Sequence, residues 1–323
     1  MRFVPYHRLD GQPHVVVDGS PTEGTALNVT HWPGYPPPPE LRADLSAESA
    51  FLLLEHREIV PTGCGIVSNN HFDQDGLVSI YALVEPDDAM RRRTFLEEVA
   101  RAGDFGVTAT RDAARVSMLV SALAGRDDLP DDYDELTGIA YAEALERLPE
   151  WCDHTDRFRE SWGDEDAALD ASSRPGTFTI DERPDVDLAV VTVAPDASDA
   201  GGHRFGGTWV TGLHPFAVHA ATDRFVVAQV RGRSYDVELR YETWVQYVSR
   251  PARARRDLVP LAARLQDEET GDATWTASAV SGLTPRLWSG EGDSSIAPDR
   301  FVDLLATHLA EAPAAWDPFT PRS

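Results

Sequence analysis

The sequence contains no lysine: all 29 basic residues are arginine, against 54 acidic ones, giving a formal net charge of −25. A surface this acidic repels a phosphate backbone at long range, which argues against long nucleic acid as a partner. Two explanations for the charge stay open. Abundant salt cations screen self-repulsion in salt-adapted proteins, and GC-rich coding favours arginine over lysine; the first is favoured. Cysteine is nearly absent too. Cys64 and Cys152 allow one pair at most, which excludes a disulfide framework and fits a reducing compartment. No apolar run approaches the roughly 20 residues that span a bilayer. The start, Met1-Arg2-Phe3-Val4-Pro5, lacks the apolar stretch of a secretory signal. The expectation is a cytoplasmic protein without membrane contact.

What is present is a chain of 323 residues with an ordinary apolar share of 42%, enough for a sizeable core and for two domains. Residues 1–162 alternate strands with helices. His14–Asp18, Ala26–His31 and Gly65–Ser68 read as strands, and helices are expected from Ser46, from about Leu77, and over 87–102, 111–124 and 132–148. This pattern predicts an α/β domain with a largely parallel sheet flanked by helices. The polar stretch 163–176 reads as a linker. Beyond it, 177–323 reads as a smaller α+β domain, substrate-binding or accessory. Its strands are expected at Thr177–Ile180, Leu188–Val193, Phe216–Ala220, Phe225–Val230 and Tyr235–Tyr241, its helices at 256–266 and 298–311, and its tail after Ala312 as irregular chain.

The chemistry concentrates in Ser68-Asn69-Asn70-His71-Phe72-Asp73-Gln74-Asp75-Gly76, where a buried strand hands over to a helix. In open α/β sheets ligands bind at that carboxyl edge. His71, Asp73 and Asp75 alternate, so on extended backbone they share one side. An imidazole with two carboxylates suits Mn²⁺, Mg²⁺ or Fe²⁺ better than a thiolate zinc site would. The competing reading is a polar loop with an N-capping aspartate. A calcium loop fits poorly, because Leu77 and Val78 follow where its acidic spacing would continue. Asp18, after three valines, also stands at a strand end, although an Asp-Gly turn would explain it as well. Asp104, between Gly103 and Phe105-Gly106 at a helix end, is within reach of the same edge or is simply an acidic turn.

The order strand–His-x-Asp-x-Asp-Gly-x-x-Ser–helix resembles the first motif of the DHH-type phosphoesterases, two-domain and usually manganese-dependent enzymes. The resemblance implies His71, Asp73 and Asp75 as metal ligands. It further implies Asp18 as the strand-end aspartate of a second motif, here placed before the first, and His31 as the remnant of Asp-His-His, with Thr30 and Trp32 in the other two places. A fourth aspartate would be Asp153 or Asp156. The family's glycine-rich phosphate loop is similar in wording to Gly201-Gly202-His203-Arg204, and its strand-borne arginine to Arg240.

On this basis the expected activity is metal-dependent hydrolysis of a small phosphorylated or short nucleotide substrate. His71, Asp73, Asp75 and Asp18 would hold Mn²⁺ or Mg²⁺, and His31 or His154 would serve as ligand or general acid. His203, Arg204 and Arg240 would meet phosphate. The alternative is a catalytically degenerate nucleotide- or metal-binding module. A third reading is a hydrolase of amide or ester bonds using the same metal site. Gly201–Gly207 as a plain hairpin loop, His214 and His219 as ordinary core or surface residues, and Trp32 with Tyr35 as a lid also remain open. A homodimer is compatible with all of these.

Overall fold

The computed structural model describes residues 1–197 and 212–320, together with the backbone of 203–204 and 207–208. The chain divides into two compact units: Met1–Asp164 with Val245–Pro251, and Glu165–Trp244 with Ala252–Ser323.

In the first unit, β1 (Arg2–Phe3), β2 (His14–Val17), β3 (Thr25–Val29) and β4 (Ile66–Ser68) form a parallel sheet in the order β1-β4-β2-β3. Val15, Val16, Val17 and Val67 are fully buried. β-Branched side chains suit a strand covered on both faces. Helices α1 (Ser46–Glu55), α2 (Gln74–Val84), α3 (Pro86–Phe105), α4 (Arg111–Ala124) and α5 (Tyr133–Asp153) follow, with α1 and α2 packed against the sheet.

Helix α2 starts at Gln74, earlier than the expected Leu77. Asp73 is its N-cap, and the Asp73 Oδ1 accepts from the Gly76 N–H at 2.8 Å. His71, Asp73 and Asp75 therefore do not share one extended face: Asp75 lies in the first helical turn. Gly76 is required by close approach, since a Cβ there would meet the Tyr141 hydroxyl and the Asn69 amide, each at 2.3 Å.

The expected linker over 163–176 is mostly helix α6 (Arg159–Ser172), whose Trp162 and Leu169 are buried. Alanines and acidic residues in that stretch are compatible with helix, and the buried side chains anchor it.

In the second unit, β5 (Phe178–Arg183) and β6 (Leu188–Val193) precede a short antiparallel pair, β7 (His203–Arg204) with β8 (Gly207–Thr208). Then come α7 (Pro215–His219), β9 (Val226–Arg231), β10 (Ser234–Leu239), β11 (Arg255–Arg256), α8 (Val259–Glu268), β12 (Thr276–Ala277), β13 (Arg286–Trp288), α9 (Pro298–Glu311) and β14 (Ala314–Trp316). The main sheet is mixed and six-stranded, in the order β12-β13-β10-β9-β6-β5, with β6 and β9 its one parallel pair.

One sheet face packs Val226, Ala228, Tyr235, Val237 and Leu239 against Leu261 and Leu265 of α8 and Phe301 and Leu305 of α9. Residues 216–219 of the expected strand 216–220 lie in helix α7, with Ala220 as its C-cap. Pro215 sits at its first position, and His214 Nδ1 accepts from the Phe216 N–H at 3.1 Å. The tail is likewise ordered where irregular chain is expected, since β14 pairs with β11. The molecule is thus mixed α/β, with a four-stranded parallel and a six-stranded mixed sheet flanked by helices. Among the described residues no helix is long and apolar enough to cross a membrane.

Candidate metal centre

Three adjacent strands deliver the site. With the order β4-β2-β3, the residues just past the carboxyl ends are His71 and Asp73 on one side, Asp18 in the middle, and His31 on the other. Asp18 is 1% exposed and adopts a left-handed conformation, φ 47°. That backbone is costly for any residue but glycine, least so for Asn and Asp, and such strain clusters at functional sites.

The Asp18 carboxylate faces both neighbours. Its Oδ1 is 3.4 Å from His31 Nε2, and its Oδ2 is 3.3 Å from His71 Nε2. His71 Nε2 also meets Asp73 Oδ2 at 2.9 Å, and His31 Nε2 lies 3.7 Å from Asp75 Oδ2 and 3.5 Å from Asp104 Oδ2. Two groups result, each with ligand atoms close enough to share one cation: Asp18, His31 and Asp75, and Asp18, His71 and Asp73. Asp18 belongs to both. The Asp104 carboxylate, from the last turn of α3, borders the first group.

The surroundings orient these side chains. His31 Nδ1 is 2.6 Å from the Asp44 carbonyl oxygen, which requires Nδ1 to carry the proton and leaves Nε2 turned toward the carboxylates. The Ser46 hydroxyl donates to Asp18 Oδ1 at 2.9 Å and accepts from the His31 N–H. Asp75 accepts from the Ser46 and Ala47 N–H groups at the start of α1. Segment 245–251 adds a further layer. Its Gln246 N–H donates to the His31 carbonyl oxygen, and its Val248 and Ser249 N–H groups donate to Asp44 Oδ1. Tyr247 packs edge-on against Phe105, whose other neighbours include the His31 ring. Trp32 stacks on His71 with ring centroids 5.1 Å apart.

The electrostatics follow from crowding. Burial and the nearby Asp18 carboxylate hold Asp75 well above the usual carboxylate range. Burial, then Asp75, Asp73 and Asp18, do the same to Asp104. Burial acts against Asp18 as well, but hydrogen bonding and charge from His31 and His71 outweigh it and bring Asp18 below its ordinary value. Both histidines are raised despite burial, His71 by Asp73 and Asp18, His31 by Asp18 and Asp75. Four buried carboxylates cannot all ionise around two imidazoles without large repulsion.

The structure therefore brings together His71, Asp73, Asp75, Asp18 and His31. It does not bring in His154, which is exposed at the end of α5 and shares no hydrogen bond or ion pair with the cluster among the described residues. Nor do Asp153 and Asp156 take part: Asp153 is held by Arg92, and Asp156 is 92% exposed. A fourth carboxylate beside the cluster is that of Asp104, 3.5 Å from His31 Nε2, which its position at a helix end beside glycine only hints at. Arg240 is 3% exposed and engaged by Glu242 and the Thr222 carbonyl, so it is a staple inside the second unit rather than an open phosphate contact. The side chains of His203 and Arg204 lie outside the described residues.

The fold and this cluster define a mixed α/β protein with a buried aspartate–histidine centre at the carboxyl edge of a parallel sheet. The chain belongs to the family described as a family of unknown function (DUF6687), which it matches over residues 1–320. No curated protein and no solved structure matches it.

Proposed function

We propose that this protein is a divalent-metal-dependent hydrolase of phosphoric esters or anhydrides, related to the DHH-type phosphoesterases and acting on a small phosphorylated or short nucleotide substrate. The observation that carries the reading is the shared Asp18 carboxylate, which lies between two groups of metal-ligand type. The donor set fits Mn²⁺ or Mg²⁺: carboxylate oxygens and imidazole nitrogens, with no thiolate. Asp18 Oδ2 is buried with the His71 imidazole 3.3 Å away, and a cation there would relieve the mutual repulsion of the carboxylates.

Asp18, His31, Asp75 and Asp104 would hold one ion, and Asp18, His71 and Asp73 a second. When bound, such ions activate water and polarise a phosphoryl oxygen. The chain's own residues set orientation. The Asp44 carbonyl fixes the His31 tautomer, Ser46 pins Asp18, and Trp32 holds the His71 ring face-on. The net charge of −25 favours a small substrate over a polymer.

Metal analysis of the purified protein tests the reading, followed by turnover of pyrophosphate and of short phosphodiesters in Mn²⁺. Failure to bind a divalent ion at millimolar concentration removes the proposal. Metal binding without turnover of either substrate class supports the non-catalytic binding module in its place.

A further inference from the structure

The two halves of the metal centre differ in how they are enclosed. In the group of Asp18, His31 and Asp75 the side chains are at most 1% exposed, and Asp104 beside them is 2% exposed. In the group of Asp18, His71 and Asp73 the His71 side chain is 16% exposed and that of Asp73 is 9% exposed. Asp18 gives one oxygen to each side: Oδ1 faces His31, and Oδ2 faces His71.

The inner group is walled by parts of the first unit that are themselves held in place. The Ser46 and Ala47 N–H groups close on Asp75, and the Ser46 hydroxyl closes on Asp18. Phe105 lies beside the His31 ring with Tyr247 edge-on against it, and the Gln246 N–H holds the His31 carbonyl oxygen. An ion leaving on that side has to displace the start of α1, the end of α3 or segment 245–251. The outer group is fixed by its own loop. The His71 N–H donates to Asn69 Oδ1 at 3.2 Å, Asp73 caps α2, and Trp32 stacks on the His71 ring, whose edge still meets solvent.

Ligand supply differs in the same sense. The inner group offers three carboxylates and an imidazole. The outer group shares Asp18 and adds one carboxylate and one imidazole. In zinc proteins a closed set of protein ligands marks a resident ion, and an open position marks one that meets water and substrate. Exclusion of water also strengthens the attraction between a cation and its carboxylates.

Given the metal-dependent function proposed for this site, we propose that Asp18, His31, Asp75 and Asp104 hold a resident ion, whereas Asp18, His71 and Asp73 hold an exchangeable one through which free divalent cation regulates the centre. The exposed His71 edge is then also the side from which a substrate reaches the ions.

A count of Mn²⁺ bound to the full chain tests this, at equilibrium from the EPR signal of the free ion, and after EDTA and desalting by atomic absorption. Two ions per chain are expected at equilibrium. EDTA should strip one of them first, while the other persists longer by about tenfold or more, the delay of a local opening. His71→Gln, at a partly exposed position outside α2, should bind one ion and keep it through EDTA as the wild type does. Fewer than two ions on the wild type at equilibrium, EDTA that removes both in one phase or neither, or a His71→Gln protein that loses its ion as fast as the outer one is lost, overturns the proposal. Two ions lost together leave the hydrolase reading in place, whereas a wild type that binds no Mn²⁺ removes that reading as well.

Discussion

Asp75 holds the first turn of α1: its Oδ2 accepts from the Ser46 N–H at 2.8 Å, while its Oδ1 takes the Ala47 N–H at 2.7 Å. One carboxylate thus satisfies two orphan donors of a helix belonging to another segment and also faces the candidate metal centre. Asp75→Asn turns an amide NH₂ toward one of those donors. It should lower stability by about 1–3 kcal/mol, read as a shifted urea midpoint, and should also weaken Mn²⁺ binding. Asp73→Asn separates the two effects. Asn is as good an N-cap as Asp, so Asp73→Asn should stay within about 0.5 kcal/mol of wild type while losing at least tenfold in Mn²⁺ affinity. Equal destabilisation by both variants contradicts this division of roles.

Proton linkage gives a second prediction. Asp75, Asp104, His31 and His71 are all raised in the metal-free protein. Groups raised on folding contribute stability that is present below their unfolded pKa and lost as pH rises through the folded one. The metal-free protein should therefore become less stable as pH rises above the ordinary values of these groups, about 4 for the two carboxyls and about 6.5 for the two imidazoles. Mn²⁺ binding should release protons and tighten across the same range. Calorimetry in two buffers of different ionisation enthalpy counts those protons. Equal apparent enthalpies in both buffers would mean that no protons are released.

Much of this centre is legible in the sequence because strand ends are. Three consecutive buried valines before Asp18, and a strand running into His71-Phe72-Asp73, already place both at the carboxyl edge. The strand order, which puts Asp18 between His31 and His71, is not encoded in any local pattern. Asp104 reaches the cluster from the far end of α3, a placement set by how the helix packs and by nothing in its neighbours along the chain. The same holds for 245–251, whose contacts with His31 and Asp44 span some 200 residues of sequence, as the Val248–Asp44 separation of 204 shows. The error at 216–220 is of another kind. A short apolar run does not distinguish strand from helix, and there Pro215 and the His214 cap decide.

Asp44 links that distant segment to the site, since its carboxylate holds Val248 and Ser249 while its own carbonyl holds His31 Nδ1. Asp44→Ala strands two backbone donors and should cost about 1–3 kcal/mol. Because His31 loses the anchored carbonyl rather than a ligand, Mn²⁺ affinity should fall about 10-fold, at the mild end of outer-shell losses. Titration of Mn²⁺ into folded Asp44→Ala checks this, and an unchanged affinity would show that His31 keeps its orientation without the segment.

Glu269 offers a test of the second unit free of any metal. Its Oε1 accepts from the Thr270, Gly271 and Ser295 N–H groups at 3.1, 2.8 and 2.8 Å, and its Oε2 from Trp275 Nε1 at 3.1 Å and the Ser294 hydroxyl at 2.6 Å. Burial alone would raise this carboxyl, but the bonds from Ser294 and Ser295 outweigh it and hold it below the usual range. A depressed folded pKa contributes stability that is present above the unfolded value, about 4.3 for Glu, and lost as pH falls through the folded one. Glu269→Gln keeps the size and one acceptor but cannot ionise. The variant should be about 1–3 kcal/mol less stable at neutral pH, and the gap to wild type should narrow as pH drops below about 4. Urea melts of both proteins at three pH values measure it; a gap that stays constant through the acid range would mean that the charge of Glu269 contributes nothing to the fold.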